Sequence, residues 1–279
     1  MSRLRIITIM IMFVLPACAG NAYAAAERLI LPLETRPGVT VKVLLQTPDV
    51  PSKGTILLFP GGSGARHFGG SGSGISLGNN FLVRSSGLFV QKGYATAIID
   101  APSDHADGMS DAFRASPEHA QDIRKIMDAL ATRSAGPFYL AGTSRGTLSA
   151  AYLASVLPQG QVAALVLTAT LGSVGSLPLD AVSVPVLLVH HIQDDCRASS
   201  PADAAALTGR FVKSSQAVFV EAAGGSSGSD GGRGKRRTGG AGGPCSALTH
   251  HGFLGMEDKV VTVITEWLSG KPAPKRISD

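Results

Sequence analysis

From residue 29 onward the chain alternates apolar runs with stretches of helical period. Leu29–Glu34 and Val39–Gln46 read as two strands, joined by Thr35-Arg36-Pro37-Gly38, whose Pro-Gly pair predicts a turn. Thr55–Phe59 is apolar except for its first residue and stops at Pro60-Gly61-Gly62. Asn80–Lys92 reads as a helix carrying Phe81, Leu82, Leu88, Phe89 and Val90, and Tyr94–Ile99 as the next strand. Ser116–Arg133 is a helix whose Ser116-Pro117-Glu118 start places proline at the first helical position. A strand over Phe138–Gly142, a helix over Thr147–Val156, and strands over Val162–Leu167 and Val184–His190 follow. A helix over Pro201–Phe211, a strand over Ala217–Glu221 and a final helix over Gly255–Leu268 complete the pattern.

Runs such as TILLF, VAALVL and PVLLV do not alternate apolar with polar. Strands buried on both faces read this way, and such strands belong to parallel sheets covered by helices. The expectation is an α/β fold with a mostly parallel central sheet and helices on both faces. Ligands of such sheets bind beyond the carboxyl ends of the strands, so chemistry is sought in the loops that follow them. Two glycine-rich patches interrupt the pattern. Gly61–Gly78 follows a strand and reads as a loop at the active end. The stretch 224–243 holds ten of the 34 glycines and reads as a flexible basic insertion.

Upstream of the first strand, Arg3 and Arg5 precede an apolar run from Ile6 to Leu15, and small residues end in Ala22-Tyr23-Ala24. This is the pattern of a secretory leader cleaved after Ala24, leaving residues 25–279 as one domain. Ten residues cannot span a bilayer, which needs about 20. Leu15-Pro16-Ala17-Cys18 is a poorer match to a lipoprotein box and stands as the alternative. The mature chain is expected to have no membrane span. Export implies an oxidising compartment. With Cys18 removed, Cys196 and Cys245 are left, an even count that predicts one disulfide.

Composition removes other readings. At 44% apolar and 16% charged residues the chain is not intrinsically disordered. Its formal charge of +5 comes from the leader and from 224–243, which carries Arg233, Lys235, Arg236 and Arg237 against Asp230. The remainder is neutral, and aromatics are only 5%, so no nucleic-acid partner is expected.

The chemistry centres on Gly142-Thr143-Ser144-Arg145-Gly146, a GxSxG pattern. Two others occur, Gly74-Ile75-Ser76-Leu77-Gly78 and Gly224-Gly225-Ser226-Ser227-Gly228. Only Ser144 stands between an apolar strand and a helix, the setting that turns the motif into a nucleophile elbow. A serine hydroxyl needs a base, and the base needs an orienting acid. With an elbow the order is serine, acid, histidine. The acid is expected just past Val184–His190, at Asp194, with Asp195 as runner-up. The base is expected in Thr249-His250-His251-Gly252-Phe253, at His251, with His250 as the alternative. His190 and His191 are read as orienting the acid loop or packing near it. The oxyanion hole calls for two backbone amides, one from Arg145 and one from Gly62 or Ser63. Pro60-Gly61-Gly62-Ser63-Gly64 lacks the lysine of a phosphate-binding loop. No cofactor and no metal are called for, since neither mature cysteine sits in a metal-ligand spacing.

On these residues the chain resembles the α/β-hydrolase superfamily from Gly54 to its last helix. Asn80-Phe81-Leu82-Val83-Arg84, Asp100-Ala101-Pro102-Ser103-Asp104 and the elbow together resemble a group of exported bacterial hydrolases of unassigned substrate. The resemblance implies an α/β-hydrolase fold and a serine hydrolase acting on an ester or related acyl bond of a small molecule. A peptidase or amidase on the same triad, or a non-catalytic binding protein on the same scaffold, are the alternatives. The short connection between Val162–Leu167 and Val184–His190 leaves no room for a large cap domain, which assigns selectivity to Gly64–Asn79 and His105–Arg114. Acyl group, leaving group and oligomeric state are not legible.

Overall fold

A computed structural model describes residues 27–68, 77–134, 136–226 and 243–279. The expected leader over 1–24 and nearly all of the glycine-rich insertion lie outside these residues. Nine strands form a single sheet: β1 Glu27–Arg36, β2 Val39–Thr47, β3 Thr55–Phe59, β4 Ala95–Ile99, β5 Phe138–Thr143, β6 Ala164–Thr168, β7 Val186–His191, β8 Ala217–Ala222 and β9 Arg276–Ile277. Their spatial order is β1-β2-β4-β3-β5-β6-β7-β8-β9. From β4 through β9 every pairing is parallel. The leading strands form a hairpin, antiparallel to each other and to β4. Its turn uses Gly38 at φ 71°, a conformation that costs glycine little.

The uninterrupted apolar strands are buried on both sides. Along β3, Leu57 and Phe59 face one core while Ile56 and Leu58 face the other. The first core is covered by α4 (Pro117–Ala131) and α5 (Gly146–Val156). The second is covered by α1 (Phe81–Arg84), α2 (Ser86–Gln91) and α7 (Glu257–Leu268). On α4 the buried positions Ile123, Ile126, Met127 and Leu130 recur at helical spacing, and the Ser116 hydroxyl caps its start by accepting from the His119 amide. Its buried Asp122 accepts hydrogen bonds from the Thr35 hydroxyl and the Arg36 guanidinium, tying the hairpin to the helix. No large cap lies between β6 and β7, where the chain makes two short 3₁₀ turns.

Three details differ from the expectation. The helix over Asn80–Lys92 is broken at Ser85, because Ser85-Ser86-Gly87 combines weak helix formers and the Ser86 hydroxyl turns back to the Val83 carbonyl. Pro201–Phe211 is α-helical only over α6 (Pro201–Ala206), then tightens to 3₁₀. The short helix α3 (Asp111–Arg114) and the two-residue β9 carry too little pattern to be seen in the sequence. No helix among the described residues is long and apolar enough to cross a membrane.

Candidate active site

Ser144 sits where β5 turns sharply into α5. Its φ is 52°, a strained value for a residue with a side chain, worth about 1–3 kcal/mol. The turn is held by the Ser144 amide donating to the Thr168 carbonyl at 3.1 Å and the Thr147 amide donating to the Ser144 carbonyl at 2.9 Å. Its glycines are there for space. A Cβ on Gly142 would run into the Gly146 carbonyl, and one on Gly146 into the Phe59 carbonyl. The other two GxSxG patterns each lie partly outside the described residues, and no described helix begins at either.

The loop after β7 carries Asp194, buried, while Asp195 is exposed. The His251 Nδ1–H donates to Asp194 Oδ2 at 2.9 Å. The same oxygen accepts from His190 Nε2 at 3.1 Å and from the Ser199 hydroxyl at 3.0 Å, and Oδ1 accepts from the Cys196 amide at 3.0 Å. Burial alone would raise this carboxyl's pKa, but the hydrogen bonds from His190 and His251 outweigh it and hold Asp194 well below the usual carboxylate range. His190 is thus in direct hydrogen-bond contact with Asp194. Ser199, its other side-chain partner, carries no sequence signal. His191 stacks on His250 with centroids 4.3 Å apart, and Asp194 accepts from His251 and not from His250.

His251 lies in a 3₁₀ turn, His250–Gly252, whose start is capped by the Thr249 hydroxyl and whose end is Phe253 at φ 56°. Its Nε2 is buried and has no hydrogen-bond partner among the described residues. His251 and Ser144 line one cavity of about 340 Å³, so an unpartnered imidazole nitrogen and the elbow serine share one space. Gly61 and Gly62 line it as well; Ser63 and Arg145 do not. The Arg145 amide directly follows Ser144, at the N-terminus of α5.

Two arginines missed in the sequence shape this site. Arg114, fully buried, donates to the Pro60 and Gly62 carbonyls and to the Ser149 hydroxyl, and so holds the turn after β3 from beneath. Desolvation lowers its pKa to about 10, with Arg145 pushing the same way. Arg84 pairs with Glu257 at 2.7 Å and donates to the carbonyls of Asn79, Ala247 and Gly252, fastening the His251 turn to α1 and α7. No pattern in a four-residue helix reveals that a side chain reaches Ala247, Gly252 and Glu257, all more than 160 positions away.

Cys196 and Cys245 form a disulfide with Cα atoms 4.6 Å apart. It joins the acid loop to the segment leading to His251. Asp194, Cys196 and His251 lie close enough to hold a metal, but the Cys196 sulfur is committed to the disulfide and the other two to each other. The cavity takes Arg66 and Asn79 from the first stretch expected to set selectivity. It takes none of 105–114, and instead uses Cys245–Leu248. The 105–114 stretch packs inward through Phe113 and Arg114.

No protein-family model matches the chain, and no curated protein matches its sequence. Solved structures do. A protein of unknown function from Agrobacterium tumefaciens, described as an α/β hydrolase, superposes with a TM-score of 0.58 at 14% identity, covering 89% of this chain and 100% of that one. Dienelactone hydrolase from Anabaena variabilis gives 0.55 at 16% identity, over 88% and 98%. A cold-adapted esterase from an Arctic intertidal metagenomic library gives 0.50 at 17%, over 71% and 84%. Identities this low speak for architecture alone, and that architecture, with its strand order and its serine on the turn after β5, is the α/β-hydrolase fold.

Proposed function

We propose that the protein is an exported serine hydrolase that cleaves an ester or related acyl bond through Ser144, His251 and Asp194. The observation that carries this reading is a single one: a strained Ser144 and the unpartnered Nε2 of an Asp194-bound His251 line the same cavity. In this reading the Ser144 oxygen attacks the acyl carbonyl while its proton passes to His251 Nε2. The developing oxyanion receives the Arg145 and Gly62 amides. His251 then gives the proton to the departing alcohol oxygen as the carbon–oxygen bond breaks. Water, deprotonated by His251, releases the acid and restores the serine. Asp194 keeps the imidazole in the tautomer with its proton on Nδ1 and stabilises the imidazolium.

Structures named as an esterase and as a dienelactone hydrolase share the fold, which supports acyl chemistry. The disulfide between Cys196 and Cys245 supports export to an oxidising compartment, in line with the leader read at 1–24. A fluorophosphonate probe and a panel of p-nitrophenyl esters test the reading. The wild-type protein is expected to be labelled at Ser144 and to turn over at least one ester, and Ser144→Ala to do neither. Labelling at another serine would overturn it.

A further inference from the structure

The cavity beside Ser144 carries a charge that no described residue answers with an ion pair. Among its described lining residues Arg66 is permanently cationic, His251 is the other ionisable side chain, and there is no carboxylate. Arg84 has Glu257 at 2.7 Å, Arg145 has Asp111 at 2.7 Å, and Arg36 has Asp104 and Asp122 at 2.9 and 2.8 Å, while the buried Arg114 spends its N–H groups on the Pro60 and Gly62 carbonyls and the Ser149 hydroxyl. Arg66 forms no ion pair with any described residue. The carboxylate whose charge reaches it, Asp100, uses its oxygens on backbone amides, accepting from Arg66 at 2.6 Å, Ala101 at 2.8 Å and Phe68 at 3.4 Å. The Arg66 Nε is buried without a partner among the described residues. Desolvation already lowers the Arg66 pKa, with only partial relief from Asp100.

Taking a guanidinium partly out of water without a counter-charge is costly, and so is a buried N–H with nothing to donate to. An anion entering the cavity supplies the missing counter-charge and so offsets the first cost. One guanidinium, with no second permanent cation among the described lining residues, matches one negative charge, which favours a carboxylate over a phosphate dianion. The geometry points to an anion-binding subsite at Arg66, so that the substrates of Ser144 are small esters bearing a carboxylate a few bonds from the scissile carbonyl. This inference rests on the hydrolase reading of Ser144, and it adds to that reading the charge and size of the substrate.

Monoethyl glutarate and ethyl pentanoate test it, because they differ only in a carboxylate replacing the terminal methyl. Ethanol release from both is measured with wild-type, Arg66→Met and Arg66→Lys proteins. The wild type is expected to favour monoethyl glutarate in kcat/KM by at least about 10-fold, the worth of a charge-assisted hydrogen bond. Arg66→Met is expected to lose at least about 10-fold more on the charged ester than on the neutral one, chiefly through KM, and Arg66→Lys to recover part of that loss. Equal losses on both esters would make Arg66 a structural residue and overturn the subsite while leaving the hydrolase reading intact. If neither ester is cleaved, calorimetric titration with glutarate alone still decides. Saturable binding that weakens in Arg66→Met supports the subsite; absence of binding, or binding indifferent to the substitution, overturns it.

Discussion

Asp194 and its neighbour Asp195 show how burial sorts two identical side chains. Asp194 is closed off by His190, His251, Ser199 and the Cys196 amide, and Asp195 is left in solvent. Asp194→Asn is therefore expected to lower kcat by about 10⁴, by presenting the wrong hydrogen-bond partner to the imidazole, and Asp195→Asn to change it little. His251→Ala and His250→Ala should split the same way when assayed on an active ester. Equal losses within either pair would refute the assignment. His119 carries a different consequence. It is fully buried between Phe59 and Phe113, and desolvation, with Arg114 and Arg36 nearby, lowers its pKa to about 3. The unfolded chain takes up a proton near pH 6.5 that the folded chain refuses, so stability is whole above that pH and falls as pH drops toward 3. The slope from this one group approaches about 1.4 kcal/mol per pH unit. Urea midpoints measured from pH 7.5 to 4.5 should show that slope reduced in His119→Phe; an unaltered slope would show that His119 does not carry it.

At the scale of elements, the site depends on how the turn bearing His251 is fastened. That turn buries His251, Gly252 and Phe253 just ahead of α7, with Phe253 packed on Phe81 at 4.9 Å. It is held by Arg84, which donates to the Gly252 and Ala247 carbonyls, and by close packing of Gly252, where a Cβ would strike the Ala247 carbonyl. Gly252→Ala is expected to displace His251 and cut kcat by about 10²-fold, since an error near 1 Å in a catalytic group is that expensive. Arg84→Lys keeps the charge but loses the planar fork that bridges several acceptors. It should lower kcat by about 10-fold or more while leaving far-ultraviolet circular dichroism unchanged. Activity equal to wild type in both variants would mean that the turn is positioned by something else.

For the whole molecule, the Cys196–Cys245 disulfide closes a loop with a sequence separation of 49 between the acid and base segments. Loop-closure entropy gives about 4 kcal/mol as an upper guide for that length. Because Cys245 also lines the cavity, reduction should cost stability and activity together. Thermal unfolding and ester hydrolysis, each followed with and without dithiothreitol, are expected to show a Tm lower by up to about 10 °C and a parallel fall in rate. A Tm that falls with no loss of rate would separate the disulfide from the site.

The order of elements and the serine elbow were legible because both are local. A doubly buried strand is a run of neighbouring apolar residues, and an elbow is five consecutive residues between a strand and a helix. Helix ends were legible where a cap marks them, as at Ser116-Pro117. Only tertiary structure decided which carboxylate meets which histidine, since Asp194 and Asp195, or His250 and His251, have nearly the same sequence surroundings and differ in what packs against them. It also decided that Gly62 rather than Ser63 reaches the cavity, that β2 runs against β4, and that Arg66, Arg84 and Arg114 converge on one end of the sheet. Those contacts join residues tens to more than a hundred positions apart. No period or spacing along a chain records such a meeting, because it is fixed by the packing of the layers between them.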